Sequence, residues 1–324
     1  MCTAISFKTK DHYFGRNMDY EISYEESVTV TPRNYPFIFR KVKPLYEHYA
    51  MIGVAYVVED YPLYYEATNE KGLSMAGLNF PGNAVYHVEI EDMDNIAPFE
   101  FIPWVLGQCA SVEECKDLLL HMNMVKIHFN EELLLSPLHW MISDGEHSIT
   151  VESVNDGLKV YDNPVGVLTN NPPFETQMFM LNNYMSLSKE HPQNHFSKDV
   201  ELHAYSRGMG ALGLPGDLSS SSRFVKAAFT KLNSVCGESE SESISQFFHI
   251  LTSVEQQRGC VHMGNEQYEI TIYSSCCNTN KGIYYYTTYE NNQITAVDMH
   301  REDLEGDKPV VYPLVTGQQI NWKN

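Results

Sequence analysis

Three observations predict an α+β fold of antiparallel sheets with helices on the outside. Strand-like runs with intervening turn residues come in groups, at 3–80, 138–170 and 268–299. Helical patterning is confined to windows between those groups, near 98–122, 222–233 and 241–252. Strands thus arrive in blocks rather than alternating singly with helices, which favours hairpins and meanders over βαβ units. No composition break, linker, internal repeat or low-complexity tract interrupts the 324 residues, so 1–324 are expected to form a single domain.

Taken in order, TAISFK (3–8) and HYFGRNM (12–18) form a hairpin around the polar Lys10-Asp11 turn. A strand at Val28–Thr31 ends at Pro32, and the continuous apolar run at 50–57 predicts a strand buried on both faces. Residues 63–80 read as strand, turn at Asn69–Gly72, strand. Helix begins in PFEFIPWVLGQ from Pro98, and Ser111-Val112-Glu113-Glu114 is a capping box. Behind it Val112, Cys115, Leu118, Leu119 and Met122 share one helical face, which makes Cys115 a core residue. LHWMIS, SITVES, LKVYD and VGVLTN, joined by turns at Asp144-Gly145 and Asn155–Gly157, read as a meander. A long polar stretch, 171–223, follows; its length suggests a lid or an oligomer contact. Two helices, 222–233 and 241–252, precede a closing meander of YEITIYSS, GIYYYTTYE and QITAVDM.

The net charge of −20 argues against nucleic acid and anionic membrane surfaces as partners. The seven cysteines are odd in number and contain no CxxC, so neither a disulfide framework nor a zinc site is expected; free thiols suit a reducing cytoplasm. Lys8, Lys10, Asp11 and Arg16 break up any apolar leader, and no 18-residue apolar run exists to cross a membrane. Gly208–Gly213 matches GxGxxG, but neither a buried strand before it nor a helix after it supports a dinucleotide site. His191 and His195 have metal-ligand spacing but flank Pro192 in a polar loop, and Cys276-Cys277 point to opposite faces of a strand. No metal or cofactor is expected.

Cys2 carries the chemistry. Removal of Met1 would place a thiol and a free α-amine on one residue. A thiolate is the nucleophile, and an α-amine with a pKa of about 8 is a usable base near neutrality. A small residue at position 2 also simply permits methionine removal, so Cys2 alone decides nothing. If the first hairpin forms, however, Arg16 and Asp19 lie at the same end as Cys2. Arg16 would favour the thiolate, and Asp19 could hold the α-amine; an ordinary surface ion pair is the alternative.

The segments MCTAISF, YFGRNMDY, VTPRNY, NEKGLSMAGLNFPG, PLHW, GVLTNNP, GALGLPGDLSSSSRF, FFHILTSV and YEITIYSS run the length of the chain. Together they resemble the choloylglycine hydrolase family, the bile salt hydrolases and penicillin V acylases, within the N-terminal-nucleophile hydrolases. The resemblance is nearest to the bile salt hydrolases of intestinal Gram-positive bacteria. It implies a four-layer αββα fold, Cys2 as nucleophile and base, and Arg16 and Asp19 as its activators. It further implies Asn170 as side-chain oxyanion donor, the backbone N–H of Asn79 as second donor, and Arg223 as a second charged support. Asn79 favours conjugated bile acids over penicillin V, since the acylases tend to carry tyrosine there. A homotetramer is implied, with 171–223 contributing to assembly. Penicillin V or another N-acyl amide, such as an N-acyl homoserine lactone, is the alternative substrate. Met18, Ile22, Tyr24 and the apolar residues of 131–137 are candidates for a steroid-binding wall, with plain core packing as the competing reading.

Overall fold

The computed structural model describes residues 1–324. Two antiparallel sheets are stacked face to face. Their strands are β1 (Cys2–Lys8), β2 (His12–Tyr20), β3 (Ser27–Thr31), β4 (Met51–Val58), β5 (Tyr61–Asn69), β6 (Ser74–Asn79), β7 (Leu138–Ser143), β8 (Ser148–Val154), β9 (Gly157–Asp162), β10 (Val167–Leu168), β11 (Ile270–Asn278), β12 (Ile283–Thr288), β13 (Asn291–Asp298) and β14 (Val310–Pro313). The six-stranded sheet has the order β10-β1-β2-β11-β12-β13, and the eight-stranded sheet β9-β8-β7-β6-β5-β4-β3-β14.

Helices α1 (Phe101–Leu106) and α2 (Val112–Leu119) lie on the eight-stranded side; α4 (Ser220–Asn233) and α5 (Glu240–Thr252) cover β1, β2, β10 and β11 of the other sheet. Alternation along the central strands explains the layering. Met51, Met75, Trp140 and Ile142 pack with Phe101 and Trp104 of α1, whereas their neighbours Ile52, Ala76 and Met141 turn inward against β1 and β2. The run at 50–57 is apolar throughout because both its faces are covered from Met51 to Ala55. This is the expected αββα arrangement.

Two positions show what the strands demand of their residues. The Asn69 turn closes because Asn69 Oδ1 accepts from the N–H groups of Lys71 and Leu73, and Gly72 takes a φ of 92°. Gly15 lies where β11 runs close to β2: a Cβ there would sit 2.0 Å from the Ser275 carbonyl oxygen.

Four expectations need correction. Met122 is not on the α2 face: the helix ends at Leu119, and Met122 opens a short strand (Met122–Met124) paired in parallel with Asp94–Ile96. The Ser111 capping box is half formed, since Ser111 Oγ accepts from Glu114 N–H while Glu114 Oε2 accepts from Ala110 N–H instead of Ser111. The polar stretch after 171 contains a helix, α3 (Phe174–Met180), which is held by the burial of Phe174 and Gln177 rather than by an amphipathic pattern. Finally, VGVLTN does not continue the meander. After the Asn163–Gly166 turn the chain leaves the eight-stranded sheet, and β10 pairs with β1 in the other one. Asn163 secures that turn by accepting from Gly166 N–H and donating to the Val167 carbonyl. The switch delivers Asn170 to the start of β1.

Candidate active site

The site forms where β1 begins. In the β1–β2 register Cys2 opposes Met18 and Ala4 opposes Arg16. These four side chains share the face that looks at the eight-stranded sheet. Met18 Sδ lies 4.0 Å from Cys2 Sγ. Arg16 points across to that sheet, donating from Nη1 to the carbonyls of Gly77 (2.6 Å) and Tyr65 (3.3 Å), with Glu66 3.7 Å away. Its Nη2 is buried and has no hydrogen-bond partner. Burial alone would lower the Arg16 pKa, but the charges of Cys2, Tyr273, Glu66 and Asp19 together hold it above its ordinary value.

Asp19 lies an odd number of residues from Arg16, so it emerges on the opposite face, toward α4. There Asp19 Oδ1 accepts from Thr271 Oγ1 at 2.6 Å, and Oδ2 lies 3.8 Å from Arg223 Nη1. Burial pushes the Asp19 carboxyl up, opposed first by Arg223, and burial likewise lowers Arg223. Arg223 Nη1 also donates to the Cys2 carbonyl (2.5 Å) and Thr3 Oγ1 (2.7 Å), and Nη2 to Asn170 Oδ1 (2.7 Å). One cation therefore fixes the backbone of the second residue, a carboxylate and an amide side chain.

Asn170 completes the ring. Its Oδ1 accepts from the Cys2 backbone N–H at 2.8 Å, and its Nδ2 donates to the Asn79 carbonyl at 2.7 Å. The second Nδ2 hydrogen is not used in that contact, so it can serve as a donor toward Cys2. The Asn170 backbone is held by Ser220 Oγ at its N–H (2.8 Å) and by Gln177 Nε2 at its carbonyl (2.6 Å).

Met1 is present, and its amine donates to the Asp19 carbonyl at 2.8 Å and ion-pairs with buried Glu269. While Met1 is attached, the Cys2 nitrogen is an amide and has no basic lone pair.

Of the expected wall residues, Met18 alone touches Cys2 in these contacts. Ile22 and Tyr24 sit on the loop beyond β2 and are 41% and 36% exposed; Ile22 borders a cavity of about 500 Å³ with Glu25, Ile270 and Leu314, while Tyr24 packs on Tyr20 and Tyr56. In 131–137, Leu134 is exposed. Sequence reasoning missed Thr3, Thr271, Ser220 and Gln177; no local signal marks the first three, because each is defined by a partner far away in the chain, and Gln177 acts within its own loop, on Thr169, Asn170 and Pro172. No group of three or more His, Cys, Asp or Glu side chains is arranged to hold a metal ion.

Stacked antiparallel sheets between helix layers, with a cysteine at the first position of the first strand, define the class of N-terminal-nucleophile amidohydrolases. The family model for linear amide C–N hydrolases of the choloylglycine hydrolase family matches residues 2–312, and the chain belongs to that family. It is 60% identical over 314 residues to a bile salt hydrolase/transferase of Lactiplantibacillus plantarum, covering 97% of each chain. It is 41% identical to a bile salt hydrolase/transferase of Clostridium perfringens, covering 100% of each. The solved structure of the C2A mutant of the conjugated bile acid hydrolase from Clostridium perfringens superposes with a TM-score of 0.92 at 40% identity, with full coverage of both chains. A penicillin V acylase from Agrobacterium tumefaciens shares the fold at a TM-score of 0.76 and 18% identity, over 98% of this chain and 94% of that one.

Proposed function

We propose that this protein hydrolyses the amide bond of glycine- or taurine-conjugated bile acids, with Cys2 as nucleophile once Met1 is removed. The observation that carries the mechanism is the buried ring of Cys2, Asn170, Arg223 and Asp19, closed by contacts of 2.5–3.8 Å. The full-length relatives named as bile salt hydrolases support the substrate class.

The free Cys2 amine takes the thiol proton, and the thiolate attacks the amide carbon. The positive charges of Arg16, with its unpartnered Nη2, and of Arg223, which donates to the Cys2 carbonyl, favour the neutral amine over the ammonium. Negative charge developing on the carbonyl oxygen is met by the second Asn170 Nδ2 hydrogen and the Asn79 N–H; losing one such donor typically costs ~10²–10³ in rate. The Cys2 ammonium protonates the nitrogen as the C–N bond breaks, and glycine or taurine leaves. The amine then deprotonates a water, which attacks the thioester and returns the thiolate. The relatives' names include transferase; an amine in place of that water would take the acyl group.

Met18 beside the thiol, with Ile22 and Tyr24 on the following loop, supplies apolar surface for a steroid. We read 1–324 as one domain that acts as a homotetramer in the cytoplasm. Support for assembly comes from the exposed Phe179, Met185, Phe196, Tyr205 and Leu212 on the segment after β10. Support for a reducing compartment comes from seven free cysteines.

The test is release of free amine from glycocholate, taurocholate and penicillin V in parallel, by the parent and by Cys2→Ala. Bile-salt turnover by the parent, with under about one percent left in the variant, is expected for a covalent nucleophile. A bile-acid carrier that merely shares the cavity would release nothing, and a parent that cleaves penicillin V faster would move the substrate to the acylase class.

A further inference from the structure

His139 and Glu152 form a buried pair that the mechanism above does not use, and both are fully enclosed. His139 Nδ1 lies 3.0 Å from Glu152 Oε1, and Nε2 lies 2.9 Å from the Thr169 carbonyl oxygen. A carbonyl oxygen can only accept, so Nε2 carries a proton. The Nδ1–Oε1 contact then needs a second proton, on the ring or on the carboxyl.

The placement of the pair is specific. Thr169 precedes Asn170, and Glu152 Oε1 also accepts from the N–H of Phe174 at 2.9 Å. The two residues thus grip both ends of the Asn170–Pro173 loop. On its other side the imidazole lies flat on Phe80, at 4.2 Å between ring centres and 6° between planes. Phe80 follows Asn79, and His139 is paired with Leu78 in the β6–β7 ladder. The two donor segments, 91 residues apart in the chain, meet at one ring.

We infer that His139, set by Glu152, is a positioning residue that registers the Asn170 side chain against the Asn79 N–H, so that both donors converge on one oxyanion. This rests on the mechanism proposed above. The carbonyl oxygen of the substrate must lie about 2.7–3.1 Å from both donors at once, and a misplacement of about 1 Å can cost ~10²-fold. A ring hydrogen-bonded to one segment and stacked on the other sets their separation.

The test compares the parent with His139→Gln, Glu152→Ala and Glu152→Gln in glycocholate hydrolysis. Alkylation of the Cys2 peptide by iodoacetamide, which needs the thiolate but no oxyanion hole, is followed by mass spectrometry. Expected is a loss of about 10- to 100-fold in kcat with little change in KM for the first two variants. The alkylation rate should hold, and the double variant His139→Gln/Glu152→Ala should fall no further than the worse single one. Glu152→Gln keeps the shape and the acceptor for Phe174, and should still lose kcat because the amide oxygen that accepts from Phe174 N–H leaves the lone pair of His139 Nδ1 without a donor. An unchanged kcat in folded Glu152→Gln or His139→Gln, or a loss confined to KM or shared by alkylation, overturns the inference. A parent that spares glycocholate but cleaves penicillin V defeats only the bile-salt reading, and the same comparison is then run on penicillin V; a parent that cleaves neither overturns both.

Discussion

Replacing Arg223 by methionine keeps most of the side chain's length and removes its charge. The structure states what is lost: hydrogen bonds to the Cys2 carbonyl, Thr3 Oγ1, Asn170 Oδ1 and the Leu218 carbonyl, and the ion pair with Asp19. Asp19 is left fully buried with Thr271 Oγ1 as its side-chain donor. Breaking a buried pair by removing one partner costs about 3–5 kcal/mol. The stability of a typical domain is about 5–15 kcal/mol, so the variant should still fold at 25 °C. The carboxyl of Asp19, already pushed up by burial, loses its chief opposing charge and is pushed up further. The double variant Asp19→Asn/Arg223→Met removes the uncompensated charge, so it should recover about half or more of the loss. Urea unfolding of the parent, both single variants and the double variant gives the coupling energy. Turnover should stay low in all three variants, since Asn170 has lost the guanidinium that fixes its amide. A loss under about 1 kcal/mol in Arg223→Met would place the pair among weak surface-type contacts and refute this reasoning. So would a double variant as unstable as the sum of the singles.

Three further outcomes are expected. Protein purified with Met1 still attached should be inert toward glycocholate, and active preparations should show Cys2 at the terminus by mass spectrometry; activity with Met1 in place would exclude the α-amine as base. Asn79→Tyr should shift preference from taurocholate toward penicillin V, and an unchanged ratio of kcat/KM values would remove position 79 from specificity. His12 is buried between Ser6 Oγ and Thr279 Oγ1, each 2.9 Å away, and burial pushes its pKa down to about 4. The unfolded chain takes up that proton near pH 6.5 and the folded chain does not, so His12's contribution is complete above pH 6.5 and is lost as pH falls toward 4. The shift corresponds to about 3 kcal/mol. His12→Gln should narrow the difference between urea stabilities at pH 7 and pH 4.5 by that order, and an unchanged difference would refute the assignment.

The sequence by itself determined the local elements. Alternating side chains and turn residues marked the first hairpin, the Asn69–Gly72 turn and the closing meander, because period and turn chemistry are short-range properties. It also singled out Cys2, since thiol and amine on one residue need no fold to meet, and motif resemblance supplied the distant positions 79, 170 and 223. What only the tertiary structure decided was which face each group takes and which sheet each strand joins. Arg16 and Asp19 read as one cluster at the end of a hairpin, yet strand alternation sends them to opposite faces, Arg16 toward Gly77 and Glu66, Asp19 toward Thr271 and Arg223. Residues 165–170 read as one more strand of a meander, yet β10 crosses to β1. Helix α3 has no sequence signature because Phe174 is buried against Tyr161 and Phe224, distant in the chain. The physical reason is common to all three: propensity and periodicity act over a few residues, whereas the choice of neighbour is made by burial and hydrogen bonds between segments tens to hundreds of residues apart. The ring around Cys2 is made of just such contacts.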